Sequence, residues 1–441
     1  MSSNPHSDLG PKSAAIVGGG LVGSLLGIYL RKHGYEVTFF ESRADPRIGT
    51  DCIPILYSTI LINLLISYAQ IDFLYIAVET GRSINLIITS RGIHALTSLS
   101  EELAAKVMAV TTRVDGRTIH NLDGSVIFQA YGPTSAYCNF SVSRWELNKV
   151  LMNAAEEAGC VFHFSHPLAH VDIPQSTLFF YVQDPISKQF YQKSVKVAHI
   201  FGADGGGSRS RQALKGLLKD GCSDVCRPLG YGYKELRMPA NPDGSSQIHH
   251  QSLHIWPRGS HFLMGLANRD GSFTMTFYMP ETSFAELKTP EAVQTFFEEN
   301  YPSAIPLMPD YNADFRRNPA GFLGTVFCGP WIHEDKFALI GDAAHAVTPF
   351  FGQGCNCGFE DVSVLHDILL AKERSSSDGT VDMLSVFAEY YAERKPNSDA
   401  IANMALENFT EMMAKTADPK FLLEKDIEIV LAQKFAAYTS R

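Results

Sequence analysis

Ala14-Ala15-Ile16-Val17, running without interruption into Gly18-Gly19-Gly20-Leu21-Val22-Gly23, is the stretch on which the fold turns. A short apolar run of this kind reads as a buried strand. Gly18, Gly20 and Gly23 then fit G-x-G-x-x-G: the first glycine makes the tight turn, the second lets backbone approach a pyrophosphate, and the third permits close helix packing. Leu25, Leu26, Tyr29 and Leu30 recur at helical spacing, and Gly34 closes that helix as a C-cap. Tyr35 to Phe40 forms a second strand, ending at Glu41, near the spacing at which an acid hydrogen-bonds a ribose diol. Strand, glycine turn, helix, strand and acid in this order predict a dinucleotide site, with about half a unit of positive charge at the helix N-terminus facing the phosphates.

NAD and FAD both fit so far, and the C-terminal half decides between them. Phe337-Ala338-Leu339-Ile340 is another buried strand, delivering Gly341-Asp342-Ala343-Ala344-His345 and then Thr348-Pro349-Phe350-Phe351-Gly352-Gln353-Gly354. An aspartate at a strand end can accept hydrogen bonds from a ribityl chain, and the glycine-flanked entry to the next helix aims N–H groups at an anionic flavin ring. Asp342 alone could be a helix cap; two dinucleotide elements so far apart in sequence must instead converge on one elongated ligand, FAD. Between them Val197 to Phe201 leads into Gly202-Ala203-Asp204-Gly205, with Ser208 and Arg211 beyond.

The rest of the chain supplies the setting. Ser143 is an N-cap, with Glu146 completing a capping box, and Leu147, Val150, Leu151 and Ala154 mark one helical face. From Leu253 to Met279, aromatic and β-branched runs separated by Arg258-Gly259-Ser260 and Asp270-Gly271 predict an antiparallel meander, the wall of a substrate domain. Thr289-Pro290 opens a short helix. Beyond Val381, apart from Lys395-Pro396-Asn397, nearly everything reads helical, with Leu384, Phe387, Tyr390 and Tyr391 on one face. A net charge of -10 and a pI near 5.8 offer no basic field to nucleic acid. The eight cysteines lack a tetrahedral metal pattern and read as reduced thiols of an intracellular protein, with no metal. Met1 to Ser13 has no secretory apolar core, so the chain reads as soluble.

The three-part signature of glycine triplet, Asp-Gly motif and Gly-Asp motif resembles the group A flavin monooxygenases. Within that group, Gly81-Arg82-Ser83-Ile84-Asn85-Leu86, Arg117-Thr118-Ile119-His120, Tyr131-Gly132, Leu253-His254-Ile255-Trp256-Pro257-Arg258 and the stretch from Gly341 to Asp361 are similar to the kynurenine 3-monooxygenase family. The resemblance implies an α/β fold: a Rossmann-like, p-hydroxybenzoate hydroxylase-like FAD-binding domain (1–85, 141–215, 325–372), an interleaved mixed-sheet substrate domain (86–140, 216–324) and C-terminal helices (373–441). It implies that Arg117 binds the amino-acid carboxylate, with Tyr131 beside it and Asn408 contacting the amino acid. Flavin contacts would fall on Val22, Glu41, Arg43, Arg144, Leu168, Asp342, Cys355 and Asn356, beside Gly18, Gly20, Gly23, Asp204 and Gly354.

The implied activity is hydroxylation of L-kynurenine to 3-hydroxykynurenine, a step of tryptophan catabolism and pyridine nucleotide biosynthesis. NADPH reduces FAD, dioxygen is captured as a flavin C4a-hydroperoxide, and the substrate's own amino group activates the ring, so no protein base is obligatory. On spacing alone Arg117 is a surface charge next to Asp115, and only its place before Ile119-His120 in the family motif reverses that; His254 and His345 read as structural hydrogen-bonders. The competing readings are another flavin hydroxylase or epoxidase acting on a phenol or terpenoid, and a non-catalytic FAD-binding remnant.

Two stretches depart from the family pattern. Asp51 to Val78 replaces a short link with an apolar insertion, including twenty uncharged residues from Cys52 to Ile71, long enough on paper to span a bilayer but set within one cofactor unit. A misplaced exon boundary accounts for it, and an abundant transcript reading continuously through the region would contradict that. The chain ends at Arg441, where the family continues with a Tyr over the substrate and, in eukaryotic members, an anchor in the mitochondrial outer membrane facing the cytosol. The expectation is an open pocket, weak substrate affinity, wasteful peroxide release and no self-anchoring.

Overall fold

Ser13–Val17, buried at every position, lies inside a six-stranded sheet and is where two chain-remote segments meet. The computed structural model describes residues 6–8, 10, 12–48, 84–184, 187, 189–377, 380–414 and 419–435. The apolar insertion at 51–78 and the Gly81-Arg82-Ser83 part of the family run lie outside the described residues. The sheet runs Ile332–His333, Phe337–Leu339, His199–Gly202, Ser13–Val17, Glu36–Phe40, Val161–His163, with every pairing parallel except the first. Strands buried on both faces need continuous apolar sequence, as Ala14 to Val17 and Phe337 to Leu339 have.

Helices cover this sheet. Leu21–Lys32 packs on Arg144–Glu157 and on the long Gly354–Ser375 helix, which in turn meets Met383–Ala414. Gly34 takes φ +80° just after the first helix, the left-handed end expected of it. Gly23 is required by geometry: a Cβ there would sit 2.3 Å from the Gly18 carbonyl oxygen.

The meander is as read from sequence. Ser252–Pro257, Phe262–Ala267 and Phe273–Pro280 are antiparallel neighbours in a seven-stranded sheet, joined by turns with Gly259 at φ +71° and Gly271 at φ +81°. Gly116–His120 joins that sheet in parallel register, Arg117 opposite Leu253. One sheet face packs on a cluster containing Phe277, Phe297 and Phe315; the other carries Leu253, Ile255, Phe262 and Phe350.

Three sequence expectations are corrected. The helix from Met383 to Ala414, which is followed by a further one at Pro419–Lys434, runs unbroken through Pro396; the Asn397 side-chain amide caps the Glu393 carbonyl and the Ser398 hydroxyl that of Lys395, so side chains take up acceptors around the proline. Leu384 is 51% exposed while Phe387 and Tyr390 are fully buried, so the inward stripe starts at Met383 and Val386 instead. The capping box at Ser143 is only half formed: Ser143 Oγ accepts from the Glu146 amide at 3.5 Å, but the Glu146 carboxylate pairs with Lys149.

Gly23→Ala is expected to lose about 1–3 kcal/mol of stability, the usual cost of forcing a group into packed space. Gly216→Ala, in a helix with nothing within 4 Å of its Cβ position, should gain roughly 0.5–1 kcal/mol. Urea midpoints of the two variants check this, and midpoints shifting in the same direction would contradict the close approach at Gly23.

Candidate functional site

Three backbone segments far apart in sequence are brought together at one end of the parallel sheet. Gly18 adopts φ +104°, and a Cβ there would lie 2.5 Å from the Ala203 carbonyl oxygen. The Ala203 amide donates to Val17 O at 2.9 Å, and the Ile340 amide to Gly202 O at 3.0 Å. Val22 closes the contact from the helix side, because Cβ atoms on Gly341 or Gly358 would lie 3.1 Å or 2.5 Å from its methyls. The glycine turn, the Asp-Gly motif and the Gly-Asp motif are therefore neighbours.

Gly20, the N-cap of the first helix, has nothing within 4 Å of its Cβ position and no side-chain cap, so the space beside the helix N-terminus is open and its first amides are left uncapped by any side chain. That is the cradle an anion needs. Glu41, 3% exposed, accepts from the Gly19 amide at 2.8 Å, the Arg43 amide at 2.8 Å and Arg43 Nε at 2.9 Å. Burial opposes its charge, but Arg43 and these amides more than offset it and hold the carboxyl below its usual range. Leu168 is buried in the strand beyond, its carbonyl accepting from Arg209.

On the opposite side Asp342 and Arg144 are exposed. Both lie within electrostatic reach of Cys355, whose thiol is pushed up to about 12 by burial and by Asp342, with Arg144 opposing. Gly354 opens the helix that carries Cys355 and Asn356. Asn356 is fully buried and its side chain stitches elements together: it accepts from the Thr89 amide and donates to Ile87 O and Gly352 O, so it braces the start of the helix from behind. Asp204 likewise caps a helix, accepting from Ser208 Oγ at 2.5 Å and the Ser210 amide at 3.0 Å. Arg211, 6% exposed, ties the Gly206 carbonyl to that of Ala343 and pairs with Asp224.

The second half of the site lies on the inner face of the seven-stranded sheet. Alternation along Gly116–His120 sends Arg117 to the side of Leu253 and Ile255, and its Nε is buried without a hydrogen-bond partner. Asp115, its neighbour in sequence, pairs with Arg113 at 2.6 Å instead. The Arg117 guanidinium lies 6.0 Å from the Tyr131 ring centre. Burial pushes the Tyr131 phenol up, with Arg117 and Asn139 opposing. Sequence reading missed an aromatic cluster: the Phe409 ring centre lies 4.6 Å from that of Phe350 and 4.8 Å from that of Tyr231, and Asn408 Nδ2 donates to the Phe350 carbonyl. Phe350 stood in a quoted motif and Phe409 beside Asn408, but no local pattern tells such aromatics from core.

The histidines divide by partner. His254 is bonded to His120 at 2.8 Å and to the His249 carbonyl at 2.7 Å on the far sheet face, and burial pushes both rings down to about 4, so they are neutral near pH 7. His345, also buried, donates to Asp361 at 2.5 Å. Burial opposes its charge, but Asp361 and Cys357 hold it well above its ordinary value of 6.5, while Asp361 is held below 3.8 by His345 and Arg394 against its own burial. His345, Cys357 and Asp361 bring ligand atoms within 4.8 Å of one another, but the Arg394 guanidinium already occupies Asp361 and Cys357 and disfavours a metal cation.

Comparison with known proteins follows the same outline. A family described as FAD binding domain matches residues 106–405, and one described as NAD(P)-binding Rossmann-like domain matches 16–53. The kynurenine 3-monooxygenase of Flavobacterium psychrophilum is 40% identical over 424 residues, 96% of this chain and 85% of the relative. That of Myxococcus xanthus is 40% identical over 427 residues, 96% and 83% of the two chains. Among solved structures, the tetrameric 2-methyl-3-hydroxypyridine-5-carboxylic acid oxygenase is similar with a TM-score of 0.66 and 17% identity, over 93% of this chain and 95% of that one. PqsL of P. aeruginosa in complex with 2-aminobenzoylacetate has a TM-score of 0.66 at 18% identity, over 92% and 97%. At such identities these structures bear on the fold alone.

Gly20→Ala places a methyl in the open cradle rather than in protein, so its urea midpoint should stay within about 0.5 kcal/mol of the parent, while retention of FAD through gel filtration should fall sharply; unchanged retention would contradict the cradle. The buried pair gives a pH signature. The contribution of His345, whose pKa rises on folding, is complete below about 6.5 and is lost as pH climbs through its folded value; that of Asp361 is complete above 3.8 and is lost as pH falls through its lower folded value. His345→Asn should therefore flatten the fall of the urea midpoint on the alkaline side of pH 6.5, and parallel curves for parent and variant would contradict it.

Proposed function

The chain belongs to the kynurenine 3-monooxygenase family, and from that premise we propose that it hydroxylates L-kynurenine to 3-hydroxykynurenine with FAD as cofactor and NADPH and dioxygen as co-substrates. The observation that carries the substrate assignment is Arg117: a guanidinium nitrogen buried without a partner, next to Tyr131, on a face otherwise lined by apolar and aromatic side chains. A buried unpaired donor is costly, and a carboxylate delivered by the substrate removes that cost with a charge-assisted hydrogen bond. A phenol or terpenoid has no carboxylate to offer it.

The residues divide the work. We assign the described parts of 1–85, 141–215 and 325–372 to the cofactor and of 86–140 and 216–324 to the substrate. In the first unit the Gly18–Gly23 turn receives the pyrophosphate, Glu41 and Arg43 border the ribose, Leu168 borders the adenine end, and Arg144, Asp342 and the Gly354–Cys355 backbone border the flavin, with Asn356 and Asp204 bracing these turns from behind. When bound, FAD supplies the activation of dioxygen, and NADPH supplies the electrons.

The protein's own part is binding and exclusion of water. Arg117 and Tyr131 hold the amino-acid end, Asn408 steadies the Phe350 turn above it, and Phe350 with Phe409 keeps solvent from the ring. No histidine of the His120–His254 pair lies on this face, which agrees with a substrate whose own amino group activates its ring. No described helix is long and apolar enough to cross a membrane, and the relatives reported above are bacterial; a mitochondrial outer-membrane site therefore forms no part of the proposal.

Kynurenine-stimulated NADPH oxidation, with the product identified by mass, tests the reading directly; a yellow protein that oxidises no NADPH with kynurenine would overturn it. Arg117→Ala should raise the KM for kynurenine about ten- to hundredfold, the equivalent of roughly 1.5–3 kcal/mol for a charge-assisted bond, and leave the bound-flavin absorbance intact. A KM within twofold of the parent would remove Arg117 from the substrate site.

A further inference from the structure

The Gly341 carbonyl is held by its own turn, accepting from the Ala344 and His345 amides, but the Gly341 amide finds no acceptor there. Gly341 stands at φ +62° ahead of a helix of only four residues, with Val22 filling the space where a Cβ would be, and its buried amide has one acceptor, Asp361 Oδ2, at 3.0 Å. The same oxygen takes the His345 bond, so one carboxylate holds both ends of the Gly341–His345 turn. Asp361 is fully buried in the Gly354–Ser375 helix and is fixed in turn from the next helix by Arg394, 1% exposed. Arg394 Nε meets Asp361 Oδ1 at 2.7 Å, Nη1 meets Glu360 Oε2 at 2.8 Å, and Nη2 meets the Cys357 carbonyl at 3.2 Å and its thiol at 3.4 Å.

We propose that Arg394 is a positioning residue for the cofactor: its planar fork fixes Asp361, and Asp361 fixes the Gly341 amide and His345, so that the backbone at Gly341–Asp342 is set in place before FAD arrives. Two features favour this over simple helix gluing. The guanidinium uses all of its nitrogens on one turn of the neighbouring helix, the turn immediately behind Gly354 and Cys355. Every step from Arg394 to Gly341 is a direct hydrogen bond between buried groups. A lysine would preserve the charge but not the fork, so geometry and charge can be separated.

The inference rests on the cofactor reading above, and the test keeps the two apart. Apoprotein of the full chain is titrated with FAD, following the quenching of flavin fluorescence, for the parent, Arg394→Met, Arg394→Lys and the surface control Glu393→Gln, at a temperature where circular dichroism shows each to be folded. Arg394→Met is expected to weaken FAD binding at least tenfold, Arg394→Lys by at least threefold, and Glu393→Gln by less than twofold. A purely structural Arg394 would lower the melting temperature and leave the FAD affinity of the folded fraction unchanged; binding by both Arg394 variants within twofold of the parent overturns the proposal. Should Arg394→Met fail to fold, Arg394→Lys decides alone by the same criterion. If the parent binds no FAD, it is the cofactor reading that fails.

Discussion

Val22 rests against Gly341 on one side and Gly358 on the other, and nothing larger than hydrogen fits at Gly358 without displacing it. This packing, together with the Ala203 carbonyl pressed on Gly18, holds three segments separated by hundreds of residues at a common sheet end. Everything functional depends on it. If the first helix moved away by the width of a methyl group, its uncapped amides and the Gly341–Asp342 turn would no longer address the same ligand, since an elongated dinucleotide tolerates little misplacement of its anchors.

The protein sets its buried charges by local partners, and two histidines make the point. His254 and His345 are both almost wholly buried. One has a second histidine and a carbonyl for company and is neutral; the other has a carboxylate and holds its proton. The neutral pair belongs to the far face of the seven-stranded sheet, where His120 stacks on the buried Trp256 at 4.0 Å. The charged one belongs to the cofactor end, where an ion-pair network running from Arg394 through Asp361 supplies the acceptor that the Gly341 amide lacks within its own turn.

Much of this was legible in the sequence because the signals are local. A strand, a glycine turn and a helix follow one another within Ala14 to Leu30, and the turn glycines of the meander announce themselves at Gly259 and Gly271. Where a partner lies far along the chain, local reading fails. Arg117 next to Asp115 looks like a surface pair until the fold gives Asp115 to Arg113 and turns Arg117 inward; only the family motif pointed to it. Asn356 and Asp204 sit in the right motifs, yet their side chains brace backbone rather than face open space. Pro396 reads as a break because sequence does not reveal which nearby side chains will cap the carbonyls around it. Arg394 carried no signal at all, since its partners lie 33 and 34 residues away on another helix.

The most direct measurement is a crystal structure of the full chain grown with FAD. The account expects one FAD per chain, its pyrophosphate against the amides that follow Gly20 and its flavin end beside Asp342 and Gly354. A fully occupied FAD lying elsewhere, with the Gly18–Gly23 turn and the Gly341–Asp342 turn free of it, would contradict the account at its root.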